Sequence, residues 1–250
     1  MSHRSPAPSP TARTGPRTGD RALVTVLGAT ALALVVIGAA VPNQPWFPAL
    51  ADPDSQVRLF VDPTSEANLW TWFNVVLLAA AAAAHAVTGW LRRRAGEAAA
   101  GWFVIAAFLA ALSLDDLASL HERLDGLGRA LGGGEGLLRA AWVVPALAVA
   151  VPFGVAVWRV ARQASWTVRS LLLTGVGLFL GAALGIELVA FAVLDLVGSG
   201  PLYAGLSYLE ELLEAWGVVL VLAAGPASWT VAARGHDVVL GLRRPDAATS

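Results

Sequence analysis

Apolar residues fall in long unbroken runs along this chain, rather than at the three- and four-residue spacing of an amphipathic surface helix. The first run, residues 22–41, is twenty residues long. As a helix it would extend about 30 Å, the thickness of a bilayer's hydrocarbon core. Further runs occupy residues 69–91, 101–120, 137–160 and 168–197, and a sixth covers about 205–233, with its start placed anywhere between Leu202 and Leu212. The pattern predicts an all-α fold: a polytopic membrane bundle of six transmembrane helices, forming one domain over residues 22–234. Small residues close the first run near Ala39 and Ala40, so a cleaved signal peptide is the alternative there. The run is longer than the apolar part of such a peptide, which favours a retained span.

Composition supports this reading. The chain is 56% hydrophobic and 14% charged, with mean hydropathy +0.64, which sets it apart from ordinary soluble domains. Residues 1–21, rich in Ser, Pro, Thr and Arg, read as a disordered tail, and residues 235–250 as a second tail. All 17 basic residues are arginine. With six spans, thirteen of them fall on one side (Arg4, Arg13, Arg17, Arg21, Arg92–Arg94, Arg159, Arg162, Arg169, Arg234, Arg243, Arg244) and four on the other (Arg58, Arg123, Arg129, Arg139). Positive charge stays inside, so both termini are expected in the cytoplasm of a bacterial cell and the bundle in its cytoplasmic membrane. No basic patch points to nucleic acid. Without cysteine, any metal must be held by histidine and carboxylates.

Tryptophans mark the two boundaries: Trp46, Trp70, Trp72 and Trp142 near the outer one, Trp90, Trp102, Trp158, Trp166 and Trp229 near the inner one, with Trp216 inside a span. The first outer loop, residues 42–65, reads as a connector long enough to serve as a lid. Gly177, Gly181 and Gly185 recur every four residues, the small-residue spacing that lets membrane helices approach or oligomerise. Pro145, Pro152 and Pro226 are candidate kinks.

The chemistry lies in acids placed where a bilayer should be. Residues 112–122 read LSLDDLASLHE, an apolar helix running into Asp115, Asp116, His121 and Glu122. Glu187 lies near mid-depth of the fifth run, and Glu210, Glu211 and Glu214 near the outer end of the sixth. A carboxylate at bilayer depth costs about 2.5–3.5 kcal/mol, so it usually faces a cavity, a partner or a cation. At about 100° per residue, Asp115, Ser119 and Glu122 share one stripe, Asp116 and Arg123 a neighbouring one, and His121 points about 120° away. Ser207, Glu210, Glu211 and Glu214 fall within an arc of about 100°, continued by Val218 and Val221. These eight residues, Asp115, Asp116, His121, Glu122, Glu187, Glu210, Glu211 and Glu214, are the candidate metal or proton site, with His121 as candidate acid/base. One imidazole among many oxygens suits Mg²⁺, Mn²⁺, Fe²⁺ or Zn²⁺. The bland alternative pairs Asp115 and Asp116 with Arg123 and Arg139 and leaves Glu210 and Glu211 solvated. His85, on one stripe with Asn74, reads as an interfacial polar residue.

Named motifs are mostly absent. DGLGRA at residues 125–130 lacks the downstream aspartates of CDP-alcohol phosphotransferases, Asp115–Asp116 is no prenyltransferase DDxxD because Ser119 stands last, and neither His121 nor His85 supplies the Glu-x-x-His of di-iron bundles. The ceramidase-like membrane hydrolases need three histidines at their metal. Ser113, Leu114, Asp115, Asp116, His121 and Glu122 together give an SLD[DE]-x4-HE segment that resembles one in a loose set of uncharacterised bacterial polytopic membrane proteins. That resemblance covers about ten residues and the arrangement of spans, and it implies no activity. Three functions follow as expectations: cation handling, with a divalent metal or protons bound for transport or sensing; a metal-dependent membrane enzyme acting on a lipid or lipid-linked substrate; or a structural, partner-binding subunit.

Overall fold

The computed structural model describes residues 18–40, 52, 55–134, 141–234 and 237–243. Helix α1 (Thr18–Ala40) is followed by a short α2 (Gln56–Val61), α3 (Leu69–Arg94), α4 (Ala100–Ala118), α5 (Leu120–Arg123), α6 (Asp125–Ala130), α7 (Val143–Gln163) and α8 (Trp166–Leu180). A π-helical segment, Gly181–Ile186, joins α8 to α9 (Glu187–Val197), and α10 (Pro201–Ala227) leads into an antiparallel hairpin, β1 (Trp229–Arg234) and β2 (Asp237–Leu242).

Helix α10 is the hub, packed against α1, α3, α8, the π segment and α9, while α3 lies on α4, α4 on α7 and α7 on α8. Its C-terminal half explains why. From Ala215 to Ala227 it is largely Ala, Gly, Val and Leu, and most of those side chains are buried. Small residues let backbones approach closely where no hydrophobic force separates helix from lipid. Helix α10 approaches α8 closely at Gly217 and Gly175: a Cβ on either would come within 2.7 Å of the other's carbonyl oxygen. The Gly177, Gly181 and Gly185 stripe lies elsewhere, with open space at all three positions. Pairing of α8 with α10 thus runs through a glycine outside the four-residue repeat. Helix α1 is tied to the hub by Trp216, whose indole N–H donates to the Gly28 carbonyl at 3.1 Å.

Several boundaries differ from those the hydropathy pattern predicts. The sixth run begins at Pro201, which sits in the first turn, where its missing N–H is no loss. It ends at Ala227 rather than near residue 233. Pro226 cannot continue the backbone ladder, and the Trp-Thr-Val sequence that follows suits a strand. The fold is helical as the pattern predicts, with one terminal hairpin added, and part of the expected C-terminal tail is its second strand. Helix α7 starts at Val143, later than residue 137, with residues 135–140 outside the described set. Of the predicted outer loop, residues 42–51, 53 and 54 are likewise outside it. The remainder is tied down by Asn68, whose side-chain oxygen caps α3 at Thr71 N while its amide donates to the Leu59, Asp62 and Ser65 carbonyls.

Candidate functional site

The third run does not carry through to Leu120 as one helix. Helix α4 stops at Ala118 because Ser119 adopts a left-handed conformation (φ 46°, ψ 50°), uncommon for a residue with a side chain. Its hydroxyl donates to Glu66 Oε2 at 2.9 Å. The break redirects the chain so that His121 returns to Asp115: the backbone N–H of His121 donates to Asp115 Oδ1 at 2.7 Å, and its ring Nδ1 lies 3.2 Å from Asp115 Oδ2. The 120° separation of these two residues holds only for an unbroken helix. The left-handed residue cancels it, and Asp115 and His121 form a dyad that neither propensity nor periodicity indicates. Ser113, two residues before Asp115, is buried and ties α4 to α3 through the Val75 carbonyl.

A second irregularity places Glu187. The π segment ends immediately before it, and its wider turn rotates all that follows relative to a continuous α-helix. Glu187 thereby lies in the field of His121 and near the Trp142 side chain. Trp142 in turn sets its ring edge-on to His121, centroids 5.4 Å apart.

The remaining acids close the cluster. Asp116 lies in the fields of Asp115, His121 and Glu66. Its Oδ2 is buried without a hydrogen-bond partner. Glu211 lies near Asp116, Glu66 and Asp62, and accepts a 2.6 Å bond from the Trp70 indole N–H. Glu214 is central, interacting with Glu211, Glu210, Asp116 and Glu187, and Glu210 faces Glu187 and Glu211. Val218 and Val221, which continue this stripe, are buried, so the glutamates of α10 lie on its inward side. Seven of the eight sequence-predicted residues thus share one electrostatic neighbourhood. The side chain of Glu122 is outside the described residues, as is Arg139.

Four residues belong here that the sequence reading passed over or placed elsewhere: Trp70, Trp142, Asp62 and Glu66. Trp70 reads as a boundary marker but is buried and turned inward. Asp62 and Glu66 come from the loop before α3, and Tyr208 of α10 points its hydroxyl at Asp62. Only the Asn68 cap, readable as a helix start, could have shown that this loop is fixed over the site. Arg123 is exposed, and among the described residues the ion pairs are Arg92–Glu97, Arg129–Asp125 and His121–Asp115. The described residues include no group of three or more such side chains set to hold a metal ion.

His85 belongs to a different setting from the interfacial one its stripe suggests. It is fully buried, with Nε2 2.9 Å from the Val221 carbonyl oxygen and its ring stacked on Trp102.

Five helical stretches, Asp20–Ala40, Leu69–Arg94, Ala100–Ala118, Val144–Gln163 and Trp166–Val197, are long and apolar enough to cross a membrane. With its inward acidic cluster, the fold is that of a helical multi-pass membrane protein. Residues 26–226 match the family described as Domain of unknown function (DUF8692), and the chain belongs to that family. The match runs from α1 almost to the end of α10 and leaves the hairpin outside. Comparisons with curated proteins and with solved structures return no match.

Proposed function

We propose that this protein binds a cation, a proton or a divalent metal ion, at the cluster of α4, α5, α9 and α10, in the service of transport or sensing. In this reading α10 is a sixth span, both termini lie in the cytoplasm and the cluster faces outward. The supporting observation is the balance of charge. Asp115, Asp116, Glu187, Glu210, Glu211 and Glu214, with Asp62 and Glu66 beside them, outnumber the His121 imidazole at one edge and Arg58 near Tyr208 at the other, and none is in an arginine ion pair among the described residues. Like charges held together away from water persist only with protons or cations bound. The unpartnered Oδ2 of Asp116 leaves an acceptor open for either.

Dicyclohexylcarbodiimide, which modifies protonated carboxyls in apolar surroundings, tests this. Labelling of Glu187, Glu211 or Glu214, located by mass spectrometry, is expected to fall as pH rises and to be lost in Glu214→Gln if Glu214 is the site. Protection by Mn²⁺, Mg²⁺ or Zn²⁺ at constant pH would identify a metal, and protection by pH alone a proton. Absence of labelling at every pH would refute the reading and favour a structural, partner-binding subunit.

One observation favours a second reading, a metal-dependent enzyme acting on a lipid or lipid-linked substrate. The Asp115–His121 dyad is the arrangement in which a carboxylate orients an imidazole for acid/base work. Ion or proton movement in sealed vesicles, abolished by Glu214→Gln, would exclude it.

A further inference from the structure

The hairpin has two unlike faces. In its register Trp229 opposes Leu242 and Val231 opposes Leu240, with Val238 two residues further along β2. Opposed residues and alternate positions share a face, so these five form one apolar surface. Thr230 with Gly241 and Ala232 with Val239 lie on the other. The apolar face starts against the bundle: the Trp229 indole donates to Thr88 Oγ1 at 2.9 Å, and the strands are closed by the Arg243 N–H donating to the Ser228 carbonyl. It then runs outward uncovered, with Val231 63% and Val238 75% exposed.

Its surroundings indicate what covers it. The base of the hairpin meets the end of α3 and the α7–α8 turn at a small cavity lined by Arg92, Ala164, Ser165, Val168 and Arg243. Arg93 and Arg94 close α3, and Arg162 and Arg169 flank the turn. Against these the described residues set Glu97, already paired with Arg92, Asp237, and Asp20 in the first turn of α1. Trp90, Trp158 and Trp166, all exposed, stand at the same end, where aromatic rings mark a membrane boundary. An apolar face continuing from the bundle into a ring of tryptophan and arginine matches the interfacial layer of an anionic leaflet.

We infer that the hairpin is a membrane-surface foot: Val231, Val238 and Leu240 enter the interfacial layer of the leaflet at the arginine-rich end, and anionic phospholipid headgroups sit against the arginines. This stands apart from the cation reading, since it concerns the opposite end of the bundle.

The chain has no cysteine, so single labels can be placed cleanly. Spin labels on Val231→Cys, Val238→Cys, Thr230→Cys and Ala232→Cys, in full-length protein reconstituted into phosphatidylcholine vesicles with and without phosphatidylglycerol, read lipid exposure by oxygen and water exposure by a nickel chelate. Labels at 231 and 238 are expected to be reached by oxygen and shielded from the chelate, and those at 230 and 232 the reverse, with the contrast growing with phosphatidylglycerol and shrinking in high salt. The double variant Val231→Asp/Val238→Asp, carrying a label on Leu240→Cys, should become chelate-accessible while eluting as the parent protein does. Equal chelate access on both faces, an apolar face shielded from both reagents by another protein surface, or insertion indifferent to phosphatidylglycerol would each overturn the proposal.

Discussion

A histidine set against a tryptophan ring lies toward each end of α10, and the two differ in burial and in the charge of their neighbours. His85 is sealed between α3, α4 and α10, bonded to the Val221 carbonyl and stacked on Trp102, in a region of small apolar side chains. Among the described residues no carboxylate is in contact with it, and its Nδ1 is buried without a partner. His121 is half-buried, lies just past the helix break at Ser119, and is paired with Asp115 in the fields of Asp116 and Glu187. One end is packed to hold the bundle together. The other gathers carboxylates that have no arginine ion pair among the described residues. A histidine within an apolar run is thus not a functional signal by itself; its partners decide.

The comparison can be broken most forcefully at the packed end. Gly217→Val should drive a side chain into the Gly175 backbone, where neither helix has slack, and cost about 3 kcal/mol or more. The loss would be read as a drop in melting temperature or as aggregation on size exclusion. Val at Gly177, where space is open, should leave both unchanged. Next, His85→Ala removes a buried bond and leaves a void, for a loss of about 2–3 kcal/mol. His121→Ala should cost less than about 1 kcal/mol while altering carbodiimide labelling of Glu187, its electrostatic neighbour. Equal destabilisation by the two would remove the distinction between the ends. Smallest of all, Asp125→Ala breaks an exposed i,i+4 pair with Arg129 and should shift stability by less than about 0.5 kcal/mol, showing that surface charge beside the acidic end carries little.

Much of this was legible in the pattern of residues. Apolar runs located the long apolar helices to within about six residues at each end, and the arc from Glu210 to Glu214 was readable from helical angles alone. Asp115 and His121 were not readable as partners, because the angles assume regular geometry and Ser119 departs from it. Glu187 could be assigned a depth but not a neighbour, since a π segment in an Ala-Gly-Leu sequence leaves no compositional trace. Trp70 read as a boundary marker because its type is common there; that its indole meets Glu211 depends on how α3 is rotated. The hairpin was missed because hydropathy treats Trp229–Ala233 as more of the same apolar run.

The sequence by itself determined the helical membrane class, the apolar segments long enough to cross, and which carboxylates fall within or beside them. The reason is that burial in lipid is a property of local composition, which any stretch of twenty residues declares. The tertiary structure decided which acids meet, which histidine is structural, and which glycines touch. Those depend on two backbone irregularities and on the rotation of one helix against another, and such relations lie between segments rather than within them.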